Sequence, residues 1–115
     1  MATPMTALAK PRPREVQVYI LIDPHTQRIS NVVPDPFRVS KGNLQEVRWI
    51  CVPEQDFSVD FDPNDSPFYE SHFDQDSPCS GLPQRKAQAL GLQKIYKYTV
   101  STAYDRLDPQ GAVDP

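Results

Sequence analysis

The stretch of sequence that decides the fold is Ile95-Tyr96-Lys97-Tyr98-Thr99-Val100, followed by Tyr104-Asp105-Arg106-Leu107-Asp108-Pro109 and Ala112-Val113. Successive side chains of a β-strand point to opposite faces, so Tyr96, Tyr98 and Val100 share one face while Lys97 lies on the other. Because a lysine belongs on the solvent side, the tyrosine face is predicted to point into a core.

The same alternation recurs along the chain and predicts further strands at Val16–Ile22, Ile29–Val33, Phe37–Ser40, Glu46–Val52 and Phe57–Phe61. The 13 prolines against 4 glycines favour short extended pieces and turns over long helices. A chain of 115 residues has room for one core. We therefore expect residues 15–115 to form one all-β domain, a β-sandwich of seven or eight strands, after a flexible N-terminal tail at residues 1–14.

The alternation fails between Asp62 and Leu92, a long loop region with four prolines and many Asp, Ser and Gln residues. Structureless loops of this length are unusual in a compact domain, so we expect Phe68, Tyr69 and Phe73 to tuck back onto the core. Residues 84–92 are predicted to form a short helix or turn. The polar stretch between the anchors and that turn is the expected partner surface, with these members: Asp74, Gln75, Asp76 and Gln84.

The net charge of −3 argues against a nucleic-acid partner, which would require a basic face. No window approaches the roughly 20 apolar residues that span a bilayer, so a soluble chain without a membrane partner is predicted. The apolar residues 5–9 precede the first charges, the reverse of a secretory signal. A cytoplasmic location is the default expectation, and an extracytoplasmic one applies if a leader has been removed.

The order of the strand-like pieces resembles the cupredoxin family over residues 15–115. In that family a Lys-Gly turn precedes a strand with a central aromatic residue, a His-bearing strand follows, and a Tyr-x-Phe/Tyr strand leads to the copper Cys. The matching pieces here are Val39-Ser40-Lys41-Gly42, Glu46-Val47-Arg48-Trp49, Phe57-Ser58-Val59-Asp60-Phe61 and Tyr96-Lys97-Tyr98-Thr99-Val100. The resemblance implies a Greek-key sandwich that mixes parallel and antiparallel pairing.

The resemblance also locates where the copper ligands of a cupredoxin would fall. The first His position falls at Phe57 or Asp56, the Cys position near Val100, the second His near Ala103 and the Met near Leu107 or Asp108. None of these residues supplies the soft donors that copper requires. The resemblance therefore implies a pocket filled by apolar side chains and no redox activity. We also expect no cofactor and no enzymatic function.

The two cysteines leave several readings open. Cys51 lies on the inward face of its strand, which favours a buried thiol, whereas Cys79 in the polar loop could reach it and form a disulfide. His25 and His72 are not clustered with them in sequence, so a regular zinc site is not indicated. A redox or metal-binding protein with nonstandard ligands drawn from these four residues is the alternative function.

The acidic middle of the chain suggests two further alternatives. Its carboxylates could bind calcium, but their spacing does not match the regular calcium loop, and a solvated loop is favoured. His72 could act as a general base beside Asp74 or Glu70 in a small hydrolase, but no nucleophile accompanies it. A surface histidine is the favoured interpretation.

Trp49, Tyr96 and Tyr98 could form an aromatic binding platform for sugars or peptides. Aromatic residues at a period of two are more often packed across strands, so we favour the core. One buried core is predicted, with these members: Trp49, Phe57, Val59, Phe61, Tyr98 and Val100.

The leading hypothesis from sequence is a non-catalytic binding or interaction module with an unknown protein partner. It rests on the loop at residues 62–92, because rigid scaffolds place their variable chemistry on loops.

Overall fold

The computed structural model describes residues 14–87 and 94–115, and within these ranges the regular elements are all strands. Their bounds are β1 Glu15–Ile22, β2 Ile29–Val33, β3 Phe37–Ser40, β4 Glu46–Val52, β5 Ser58–Phe61, β6 His72–Asp74, β7 Ile95–Ser101, β8 Arg106–Leu107 and β9 Gln110–Asp114. The described ranges thus hold nine strands, against the seven or eight expected. Strands β6 and β8 have only three and two residues, so they are too short to show an alternating pattern in the sequence.

The strands form two sheets, as expected for a β-sandwich. The small sheet has the order β2-β1-β4, and the larger one has the order β3-β9-β7-β5-β6 with β8 paired to β7. β1 runs parallel to β4, and β3 runs parallel to β9, while the other strand pairs are antiparallel. The predicted mixture of parallel and antiparallel pairing is therefore present.

The core lies between the inward faces of the two sheets. All six predicted core residues are buried there, from Val59 and Val100 at 0 % exposure to Phe57 at 6 %. Trp49, Tyr96 and Tyr98 are at most 4 % exposed, so the packing interpretation of the aromatic residues is confirmed. Lys97 is exposed on the opposite face of β7, as the alternation predicts.

Phe37 occupies the centre of this core. Its ring contacts those of Trp49, Phe68 and Tyr98 at centroid distances of 6.1, 6.1 and 5.6 Å. Its partner in the parallel register of β3 and β9 is Gly111, and the ring lies directly over that residue. A Cβ atom on Gly111 would come within 2.1 Å of the phenyl ring, so only glycine leaves room for it.

The segment predicted as a long loop is held against the sandwich. Phe68 and Phe73 are 0 % and 3 % exposed, which confirms that they anchor it. Tyr69, expected to tuck in with them, is instead 69 % exposed, because it alternates with buried Phe68. Residues 78–80 also line the edge of β4, with Trp49 N donating to Pro78 O at 3.0 Å and Ser80 N to Val47 O at 2.8 Å.

Two sequence predictions fall partly outside the described residues. Residues 84–87 form a turn, in which Ala87 N donates to Gln84 O at 3.0 Å, but residues 88–92 of the predicted helix or turn are not described. The predicted tail lies outside the described ranges except for Arg14.

Candidate functional site

The four positions that correspond to copper ligands in the resemblance meet at one end of the sandwich. Phe57 and Ala103 line the same depression of about 170 Å³ between the start of β5 and the β7–β8 connection. Val100 pairs with Leu107 across β7 and β8. The side chains at these four positions are hydrocarbon, and those of Phe57 and Val100 are buried in the core. The same depression is also lined by polar residues, namely Asp56, Ser58, Ser101 and Thr102. Carbon atoms offer no lone pair to a metal ion, and the oxygen atoms beside them are not the soft donors that copper requires.

The two cysteines lie on opposite faces of the small sheet and are not joined by a disulfide. Cys51 points inward from β4, as Trp49 does, and is 7 % exposed. Cys79 pairs with Arg48 in an antiparallel bridge, and paired residues share a face. Since Arg48 alternates with buried Val47 and Trp49, Cys79 lies on the outer face. The disulfide considered from sequence therefore does not form, because the strand separates the two thiols.

Burial governs the chemistry of Cys51. Removal from water raises the pKa of the thiol, and hydrogen bonding to Gln55 offsets this only in part. The reactive thiolate is disfavoured in this buried environment, so Cys51 behaves as a small apolar core residue.

His72 lies on the edge strand β6 between two carboxylates. Its Nδ1 is 2.6 Å from Asp60 Oδ1, and its Nε2 is 3.5 Å from Asp74 Oδ2. The hydrogen bond to Asp60 is the main cause that raises the pKa of His72, and Asp74 adds a smaller effect. A raised pKa favours the protonated form, which acts as an ion-pair partner rather than as a general base. Of the two carboxylates, the sequence indicated Asp74 but not Asp60, which is brought opposite His72 by the β5–β6 register.

The proposed nonstandard metal ligands are not brought together. Cys51 lies in the core, Cys79 on the outer face of the small sheet, His25 in the exposed β1–β2 turn and His72 on β6. Within residues 14–87 and 94–115, no group of three or more His, Cys, Asp or Glu side chains could hold a metal ion.

The predicted partner surface divides into two parts. Gln75 and Asp76 are exposed in a turn that Asp74 caps, its Oδ1 accepting from Asp76 N at 3.0 Å. Gln84 is half-buried and holds the segment together, since its Nε2 donates to Phe68 O at 2.6 Å. Gln75 and Gln84 also line different cavities, so the four predicted residues do not share one depression.

An exposed apolar pair lies on the outside of the same segment. Phe68 and Pro83 form an antiparallel bridge and are both buried. Tyr69 follows Phe68 and Leu82 precedes Pro83, each at a bend beside this bridge, and both are exposed. Their exposures are 69 % and 44 %. The bridge between their neighbours brings the backbone of Tyr69 and Leu82 close together, which the sequence alone does not show.

No helix long and apolar enough to cross a membrane occurs in the described parts of the chain. Comparisons with protein-family models, curated proteins and solved structures give no match.

Proposed function

We propose that this chain is a non-catalytic, cupredoxin-like Greek-key module that binds a protein partner through Tyr69 and Leu82. The observation that carries the proposal is the exposure of this apolar pair on a segment anchored from beneath. Tyrosine is enriched among the residues that dominate binding energy at protein interfaces. An isolated exposed apolar residue is ordinary, whereas two that flank one backbone bridge offer the start of a contact surface.

The backbone beneath the pair is already ordered. Phe68 and Pro83 fix it from inside, and Gln84 N donates to Pro67 O at 2.8 Å. A partner that contacts Tyr69 and Leu82 would therefore not have to order the loop, and the entropy lost on binding is small. Anchored loops on a rigid sandwich are suited to recognition for this reason.

The absence of copper chemistry belongs to the same proposal. Phe57 and Val100 place hydrocarbon where a cupredoxin places a His and the Cys. Titration of the purified protein with copper should give no intense visible charge-transfer band. A stoichiometric blue or green species would contradict this part of the proposal.

The partner is tested by comparing captures from the source lysate with three baits. These are the unmodified chain, the double variant Tyr69→Ala/Leu82→Ser, and the control Leu44→Ser, which removes another exposed apolar side chain (53 %). We expect proteins that are recovered by the unmodified chain and the control but lost with the double variant. Melting temperatures should be similar for all three, because each changed residue is exposed. Recovery of the same proteins by all three baits would contradict the assignment of Tyr69 and Leu82.

Point changes are preferable to replacing residues 74–84 by a linker. Ser80 within that stretch is 6 % exposed and hydrogen-bonds β4 through Val47, so a linker would uncover the edge of a core strand. Loss of binding would then not distinguish recognition from unfolding.

A further inference from the structure

His72 joins two parts of the chain through both of its ring nitrogens. Nδ1 is 2.6 Å from Asp60 Oδ1 on β5, and Nε2 is 3.5 Å from Asp74 Oδ2 at the end of β6. A neutral imidazole has one N–H donor and one acceptor, whereas the protonated ring has two donors. Carboxylates that face both nitrogens therefore match the protonated ring better than the neutral one.

Asp74 also closes the turn of residues 74–77. Its Oδ1 accepts hydrogen bonds from Asp76 N and from Ser77 N, each at 3.0 Å. The backbones of Asp74 and Ser77 are hydrogen-bonded in both directions, at 3.0 and 3.3 Å. One oxygen of this carboxylate thus holds the turn while the other faces His72, so the order of the turn is coupled to the ring.

The turn is attached to the rest of the sandwich at few points. Gln75 Oε1 accepts from Phe57 N at 3.2 Å, directly before β5 begins. The chain leaves the turn at Pro78, whose O is bound to β4 by Trp49 N. Within the described ranges β6 is the last strand of its sheet. Loosening at Asp74 would therefore remain confined to residues 74–77.

The other charged groups on the strands and turns beside His72 are mostly acidic. They are Asp62, Glu70, Asp76, Lys97 and Asp108. Lys97, the cation among them, lies on β7 and is separated from β6 by β5. This excess of negative charge favours the protonated ring, in the same direction as the bonds to Asp60 and Asp74, which raise the pKa of His72.

We propose that His72 is a pH-sensitive clamp on the turn of residues 74–77. The protonated ring donates to both carboxylates and holds the turn beside β5. Titration removes the proton that faces Asp74, because the bond from Nδ1 to Asp60 is the shorter one. Nε2 then presents a lone pair to Asp74 Oδ2, and two acceptors that face each other repel. Asp74 turns away, and the hydrogen bonds from Asp76 N and Ser77 N weaken with it.

The direction of the pH dependence follows from the raised pKa of His72 in the folded state. The clamp is complete below the unfolded pKa and is lost as pH rises through the folded pKa. Its loss releases Gln75 and Asp76, the exposed members of the partner surface expected from sequence. The clamp does not involve Tyr69 or Leu82, so it stands independently of the proposed binding pair.

Hydrogen exchange of single backbone amides, measured by NMR on the full chain, tests the clamp. Rates for Asp76 and Ser77 are compared between about pH 5 and 9, where carboxylates stay ionised, after correction for the intrinsic pH dependence of exchange. We expect the corrected rates to rise roughly two- to fivefold as pH passes through the folded pKa of His72, the range set by an exposed ion pair. The control is the amide of Asn64, which donates to Asp62 Oδ1 at 2.9 Å in a turn without histidine and should show no step.

The variant His72→Ala removes the clamp and should give the higher rates at every pH, with no step. Because the His72 side chain is 56 % exposed, the variant should fold as the parent does, which circular dichroism checks. The matched variant His25→Ala should keep the step. Absence of a step in the parent, or a step that persists in His72→Ala, would overturn the proposal. An equal step at Asn64 would also overturn it, since pH would then act on turns in general.

Discussion

Gly111→Ala is the substitution for which the structure makes the sharpest prediction. A Cβ atom at this position would lie 2.1, 2.3 and 2.6 Å from three carbons of the Phe37 ring. Ordinary carbon contacts begin near ~3.5 Å, so the ring or the strand would have to move by about 1.4 Å. Phe37 is 0 % exposed and its ring is enclosed by the rings of Trp49, Phe68 and Tyr98, so there is no free space into which it could move.

The loss of folding stability in Gly111→Ala follows from this confinement of the Phe37 ring. Overpacking a well-filled core usually costs about 1 to 3 kcal/mol, and the enclosed ring places Gly111→Ala near the upper end. Replacing glycine by alanine also lowers the conformational entropy of the unfolded chain, which raises the free energy of unfolding by about 0.4 to 1 kcal/mol. The net loss of stability should be about 2 to 2.6 kcal/mol. For a domain of this size, that corresponds to a fall in melting temperature of roughly 8 to 10 °C.

Thermal and urea unfolding followed by circular dichroism measure this loss, with Gly42→Ala as the matched control. A Cβ on Gly42 would meet its nearest atoms, in the backbone of Pro115, at 3.5 Å, an ordinary contact, so this variant should melt within about 2 °C of the parent. In a Phe37→Leu background the clashing ring carbons are gone, and Gly111→Ala should cost at least about 1 kcal/mol less. Equal costs in the two backgrounds, or an unchanged melting temperature for Gly111→Ala alone, would refute the reasoning.

Three further outcomes are expected. Trp49→Ala should cost about 3 to 5 kcal/mol in urea unfolding because it empties a fully packed site, and an unchanged stability would show that the indole is not part of the core. The pKa of His72, followed by NMR titration, should lie above its ordinary value of 6.5 and fall in Asp60→Asn, whose amide cannot act as the ion-pair partner. Because the pKa of His72 is raised in the folded state, the stabilisation from the His72–Asp60 pair is complete below the unfolded pKa and is lost as pH rises through the folded pKa. If the parent instead gained stability relative to Asp60→Asn as pH rises through the folded pKa, the pairing would be contradicted. A thiol reagent should modify Cys79 quickly and Cys51 only on unfolding, so a single fast phase for both thiols would show that Cys51 is accessible.

The strand positions were readable from the sequence because alternation is a local property. β4 and β7 each bury every second residue, as β1 does from Val18 onward, and in β4 and β7 an arginine or lysine between apolar neighbours identifies the outer face. The anchoring of Phe68 and Phe73 was predicted for a related reason, since large apolar side chains in a polar segment lower the free energy by returning to the core. Tyr69 departs from that prediction because its neighbour Phe68 takes the inward position.

The composition of the candidate surfaces depended on contacts between distant parts of the chain. Asp60 meets His72, the Phe68–Pro83 bridge brings Tyr69 near Leu82, and Cys79 is separated from Cys51, each through pairing between segments that the sequence does not align. Register decides which face a side chain occupies, and a shift of one residue would reverse it. By itself the sequence determined which residues are apolar and how they alternate, and hence the all-β class and the core. Only the tertiary structure decided which strands became neighbours, because that choice is set by the combined packing of both sheets rather than by any single segment.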